Sequence, residues 1–282
     1  MMTIREYSEA VAERIENAQV VEIEKANGIK YVGVSVRDGN VGMNIYLEQM
    51  LSEGLTIEQA VAKVNEIYLQ HKANMAHMGD IAEMMKDYDL IKDKLRARLY
   101  NQKTSAEVFR SAKRRGFSDL IIVPYVNLEN NAEGTSAAKV TKGLIEQWGV
   151  TEKKVIDQAI KNTAAESKVE DMMEVMAHMM GLSAEEMNNM YGAPESSQFV
   201  ISTDNKVNGA AAILAKLDYF KQKFPKGFFV LPSSVHEVLV VPKMDGTTLD
   251  AMNKMVREVN ATTVAEEEQL ADHAYEFEGT LA

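Results

Sequence analysis

GFFVLPSSVHEVLVVP, residues 227–242, decides how this chain reads. Two apolar, β-branched runs flank a short polar turn that carries Ser233, Ser234, His236 and Glu237. A turn this short cannot make the crossover that parallel strands need, so the two runs are expected to pair antiparallel. The turn also places the most chemically diverse cluster of the sequence at one sheet edge. Ser233, Ser234, His236 and Glu237 would supply a nucleophile, a base and an orienting acid. Alternate residues of an extended segment point to opposite faces, however, so adjacent His236 and Glu237 do not converge without a bend. The expectation is that the two serines cap the turn and that His236 bonds backbone.

Upstream, Phe199-Val200-Ile201 reads as a strand and Gly209–Phe220 as a helix. Between them, Asn205 and Asn208 stand just ahead of the helix. An asparagine N-cap is expected there; the alternative is an anion held by the backbone N–H groups of the helix start. Downstream, Leu249–Val259 reads as a helix and Tyr275-Glu276-Phe277 as a terminal strand.

Nearer the N-terminus, Thr3 and Glu6 form a capping box ahead of Ile4, Tyr7, Val11 and Ile15 at helical spacing. Residues 19–25 and 29–36 are β-rich and flank Asn27-Gly28, the signal of a type I′ hairpin. Residues 41–51 read as helix, and Thr56 opens another, with Ile57, Val61, Val64 and Tyr68 on one face. Residues 80–115 read as helical and charged, Leu120–Tyr125 as a buried strand, 128–133 as a polar loop and Ser136–Val140 as a second strand. Helices follow at Thr141–Gln147 and Thr151–Thr163, and Ser183 with Glu186 makes a second capping box. Strand pairs alternating with helices predict an α+β fold with antiparallel sheet. Gly, Pro and two Ser between Tyr191 and Ser197 suggest a boundary. It would separate an N-terminal α+β region, 1–190, from a C-terminal one, 198–282, unless the two are continuous.

The chain has 282 residues, 46% hydrophobic and 26% charged, which suits a globular protein with a sizeable core. Cysteine is absent, which excludes disulfides, thiolate metal sites and cysteine nucleophiles. No apolar run approaches the ~20 residues that span a bilayer, and MMTIREYSEA lacks the apolar core of an export signal. No membrane is expected, and the cytoplasm is the default location. The net charge of −11 opposes general nucleic-acid affinity. One window departs from it: Lys92–Arg115 holds nine basic residues against Asp93 and Glu107, about +7, leaving about −18 elsewhere. A solvated helix face is expected there, with nucleic acid or an acidic partner as the alternative. His71 and His77 fall on opposite helix faces, and His236-Glu237 lacks the second histidine of H-E-x-x-H, so no metal and no cofactor is expected. Met172, Met173, Met176, Met179, Met180, Met187 and Met190 crowd one helical region. Core filling is the expected use, and an adaptable partner-binding surface the alternative.

LPSSVHEVLVVP (231–242), MVREVNATTV (255–264) and EEQLADHAYEF (267–277) carry a resemblance. KLRARLYN (94–101), FSDLIIVPY (117–125) and AKVTKGLIEQWGVTEKKVIDQAIKNT (138–163) fit the same pattern. Together they resemble the bacterial family called domain of unknown function 5688. The resemblance implies an origin among gut Firmicutes and carries no catalytic residue with it. The favoured expectation is a non-enzymatic binding or adaptor protein. The alternatives are a hydrolase-like enzyme using the Ser233–Glu237 turn, and an acidic accessory protein of mobile elements acting on host nucleic-acid machinery.

Overall fold

The computed structural model describes residues 2–24, 29–38, 41–75, 83–104, 117–131, 134–192 and 198–280. They divide into two units, Met1–Met85 and Lys86–Ala282.

In the first unit, the Thr3–Glu6 capping box opens helix α1 (Ile4–Ala12), with both reciprocal bonds present. Its apolar stripe, Tyr7, Val11 and Ala12, packs on a three-stranded antiparallel meander of β1 (Ala18–Glu24), β2 (Lys30–Asp38) and β3 (Val41–Tyr46). The Tyr7 hydroxyl donates to the Leu55 carbonyl at 2.9 Å, so the buried ring keeps its polar tip satisfied. β1 and β2 pair antiparallel from Ala18↔Val36 to Glu24↔Lys30, while the Asn27-Gly28 turn lies outside the described residues. Helix α2 (Glu48–Ser52) is short, and α3 (Ile57–Met75) supplies Ala60 and Val64 to the core. The helix expected over 41–51 is a strand for its first half. Val41–Tyr46 pairs with Arg37, Val36 and their neighbours of β2, and this ladder overrides a weak local preference.

The second unit holds two sheets. β4 (Leu95–Asn101), β5 (Leu120–Asn131) and β6 (Gly134–Lys139) form one, with β5 in the middle. The helical reading of 80–115 fails at β4. Leu95, Ala97 and Leu99 are buried while Arg96, Arg98 and Tyr100 are not, which is the period of a strand. Before it lie α4 (Tyr88–Ile91) and a 3-10 turn; residues 105–116 lie outside the described set. The polar loop expected at 128–133 is also strand as far as Asn131, paired to β6 through a bulge between Asn127 and Glu129.

The second sheet runs β11 (Tyr275–Phe277), β9 (Phe228–Leu231), β10 (Val238–Pro242), β8 (Phe199–Thr203) and β7 (Ser167–Asp171), antiparallel throughout. β9 and β10 pair from Leu239↔Leu231 to Pro242↔Phe228, as the turn between them requires. β8 and β9 are buried at every position, as strands covered on both faces are; β9 is apolar throughout, and β8 ends in buried Ser202 and Thr203. Phe220, Phe224, Phe228 and Phe277 stack beside this sheet, with Phe228 and Phe277 centroids 5.2 Å apart. Such pairs add about 0.5–1.5 kcal/mol each beyond area burial. β7 is a short edge strand with Lys168, Glu170 and Asp171, too polar to announce itself in sequence. It pairs with β8, so the sheet spans the boundary expected at Tyr191–Ser197, and residues 167–171 and 199–203 belong to one unit. The other helices are α5 (Lys142–Trp148), α6 (Glu152–Ala165), α7 (Met172–Met179), α8 (Ala184–Tyr191), α9 (Ile213–Lys223) and α10 (Leu249–Thr262).

Candidate functional site

The turn between β9 and β10 is built by hydrogen bonds that engage Ser234, His236 and the backbone. Ser234 Oγ accepts from the His236 N–H at 3.0 Å, closing a local side-chain turn. The Val235 N–H donates to the Glu268 carbonyl, and Leu270 N–H to the Ser233 carbonyl, which ties the turn to the segment after α10. His236 Nδ1 accepts from the Asn208 N–H at 3.2 Å, and its Nε2 lies 3.1 Å from Glu268 Oε1. An accepting Nδ1 carries no proton, so the ring is held with its N–H on Nε2, facing the carboxylate. Both ring nitrogens therefore have partners. Glu237 is exposed, and the carboxylate beside His236 is Glu268, from a 3-10 turn thirty-two residues along. The Ser233 hydroxyl has no hydrogen bond among the described residues. The Ser–His–Glu237 grouping that a hydrolase reading needs is not assembled.

Asn205 and Asn208 enter a different site. Asn208 does not cap the following helix through its side chain; it sits in the left-handed region at φ 53° and gives its N–H to His236. Gly209 comes next because the backbone passes too close for a side chain: an added Cβ would lie 2.6 Å from Thr203 N and 2.7 Å from His236 O. Asn205 Oδ1 accepts from the Thr203 hydroxyl at 3.0 Å and the Val207 N–H at 3.1 Å. This loop closes one wall of a small cleft whose enclosed space is about 20 Å3. Arg96, Arg98, Asn127, Thr163 and Glu166 line the rest.

The cleft follows from β4 being an edge strand. Helix α6 lies along it and satisfies its outward groups: Thr163 Oγ1 accepts from Ala97 N–H at 2.9 Å, and Asn162 Nδ2 donates to the carbonyls of Lys92 and Leu95. Arg96 forms a two-pronged bond to Glu166 at the end of α6, its Nε reaching Oε2 at 2.9 Å. Arg98, two residues on and on the same face, lies over the Tyr125 ring with its guanidinium carbon 4.0 Å from the centroid. Burial, reinforced by the Tyr100 hydroxyl alongside, pushes the Tyr125 phenol above its ordinary value. Asn127, beside the bulge, has a buried Oδ1 with no hydrogen-bond partner.

The basic window Lys92–Arg115 is thus not one solvated helix face over its described part. Lys92 pairs with Asp89, Arg96 with Glu166, and Arg98 lies on Tyr125. Arg110, Lys113, Arg114 and Arg115 lie outside the described residues.

A second polar cluster was not legible in sequence. Asp119 accepts from the Tyr275 hydroxyl and from Asn101 Nδ2 at 3.3 Å, and His273 Nε2 stands 3.6 Å away. His273 Nδ1 is 2.9 Å from Asp272. Burial raises the Tyr275 phenol above its ordinary value, and Asp119 adds to it; the bond to His273 holds the Asp272 carboxyl below the usual carboxylate range. These residues join β11 to the start of β5. No group of three or more acidic or histidine side chains with metal-binding geometry occurs among the described residues.

The methionines separate into three kinds, of which Met172 and Met173 are half-buried. Met187 is fully buried, whereas Met176, Met179, Met180 and Met190 are exposed, Met179 by 81%. Core filling is corrected for Met176 and Met179: the stripe of α7 that faces inward is carried by Ala177.

The fold is an antiparallel α+β arrangement. Over residues 3–279 the chain matches the family of unknown function DUF5688, and it belongs to that family. No curated protein and no solved structure matches it. Among the described residues no helix is long and apolar enough to cross a membrane.

Proposed function

We propose that the chain is a non-enzymatic binding protein that docks a partner protein through the exposed side chains of α7 and α8. The observation that carries this reading is the exposure of Met176, Met179, Met190 and Tyr191 on two helices that pack against each other, with exposed Met180 at the end of the first. Flexible, polarizable methionine side chains adapt to a partner's apolar surface at little conformational cost, and solvent-facing apolar residues of this size gain from being covered. The hydrogen bonding of the Ser233–Glu237 turn adds to the case: Ser234 Oγ already serves the backbone and both His236 ring nitrogens are engaged, so nucleophile and base are not poised.

A photo-crosslinking residue at position 179, in cells that express the chain, is the test. A discrete adduct that Met190→Glu abolishes, with none from a crosslinker at Lys153, is expected. Turnover of a substrate in a broad hydrolase screen, lost in folded Ser234→Ala and His236→Ala variants, would replace this reading with the enzymatic one.

A further inference from the structure

Arg96 and Arg98 share one face of β4 and meet different fates. Arg96 has its carboxylate inside the protein, from Glu166. Arg98 is half-buried, its guanidinium carbon over the Tyr125 ring, and among the described residues no carboxylate or carbonyl accepts from it. A guanidinium presents a planar fork matched to a carboxylate, and a cation–π contact restrains it before anything binds. Around it the cleft supplies two more unmatched groups. Asn205 has its Oδ1 committed to Thr203 and Val207, which leaves its NH2 as an unused donor. Asn127 Oδ1 is buried with no donor to satisfy it, a state that costs free energy unless a ligand or water fills it. The enclosed space, about 20 Å3, is water-sized, so a ligand would meet these groups from the open mouth of the cleft.

We propose that this cleft binds a carboxylate whose neighbouring carbon carries a hydrogen-bond donor. The carboxylate would take the Arg98 fork and the Asn205 NH2, and the neighbouring O–H or N–H would donate to Asn127 Oδ1. A small 2-hydroxy acid, an amino acid and the C-terminal residue of a peptide share this chemistry. The site is separate from the methionine helices, so neither reading depends on the other.

The test is titration of the full chain, by calorimetry and by the Arg98 Nε–H NMR signal, with lactate, glycine, acetylglycine, propionate and inorganic phosphate. Donor-bearing carboxylates are expected to bind at millimolar levels or better, with propionate weaker and phosphate weakest. Tighter binding by acetylglycine than by glycine or lactate points to a peptide terminus; the reverse points to a free acid. Arg98→Met is expected to weaken binding at least about tenfold, Arg98→Lys to restore little of it, and Asn127→Ala to erase the preference over propionate. The proposal is overturned if no carboxylate moves the wild-type Arg98 signal at ~20 mM, weaker than the millimolar range expected. Phosphate binding as tightly as lactate overturns it as well. So does an unchanged affinity in Arg98→Met; should that variant not fold, the wild-type Arg98 signal decides alone.

Discussion

His236 shows how one side chain is used when its polar atoms all have employment. It joins the loop after β8 to the turn after β9, through Asn208 N–H, and reaches across to Glu268. Removing the imidazole strands the Asn208 N–H in a part-buried position, so His236→Ala is expected to cost about 1–3 kcal/mol in a urea titration. Unchanged stability would mean that the ring is dispensable to the fold. Asp272 makes a prediction in pH. Its carboxyl is held below its ordinary value, chiefly by the bond to His273. A depressed carboxyl contributes stability that is present above the unfolded value of about 3.9 and is lost as pH falls through the lower folded value. Asp272→Asn is therefore expected to lower the denaturation midpoint near neutral pH, by an amount that shrinks to nothing in strong acid. The effect is small, because Asp272 is largely exposed. A gap between the two proteins that stays constant down to pH 2 would refute it.

Helix α7 and strand β4 carry the sharpest contrasts between pattern and packing. The methionine run reads as core by spacing, yet the second unit uses Ala177 and Met187 and leaves Met176 and Met179 to solvent. Met187→Ala is expected to cost about 2–5 kcal/mol by opening a cavity, and Met179→Ala to change stability by less than about 0.5 kcal/mol. Equal costs for both would place Met179 in the core after all. In β4 the dependence is on α6: Thr163 accepts from the buried Ala97 N–H on the edge facing the helix. Thr163→Val keeps the shape and deletes the acceptor, so a loss of about 1–3 kcal/mol is expected. The period of two in LRARLYN was present in the sequence; the surrounding basic residues masked it, because charge density alone resembles a solvated helix.

The division of the chain follows contacts rather than composition. The Gly-Pro-Ser stretch near 191–197 looks like a linker but lies between two strands of one sheet, since β7 precedes it and β8 follows it. A fragment of residues 86–282 keeps both sheets of the second unit and is expected to give a cooperative melt by circular dichroism. A fragment of residues 198–282 loses β7, β4 and α6 and is expected not to. A cooperative melt from the shorter piece would show that the C-terminal region is independent.

The sequence by itself determined the parts governed by neighbours along the chain. Those are the capping boxes at Thr3 and Ser183, the antiparallel β9–β10 pair forced by its short turn, the amphipathic helices and the terminal strand. Antiparallel α+β class followed from them. Tertiary structure alone decided what depends on distant partners. β3 is a strand because β2 offers it a ladder, and β7 because β8 does. Asn205 and Asn208 were visible as a polar loop, but Arg98, Asn127 and Glu268 join the sites only through folding. Hydrogen bonds and ion pairs between residues seventy positions apart, such as Arg96 with Glu166, leave no local pattern to read.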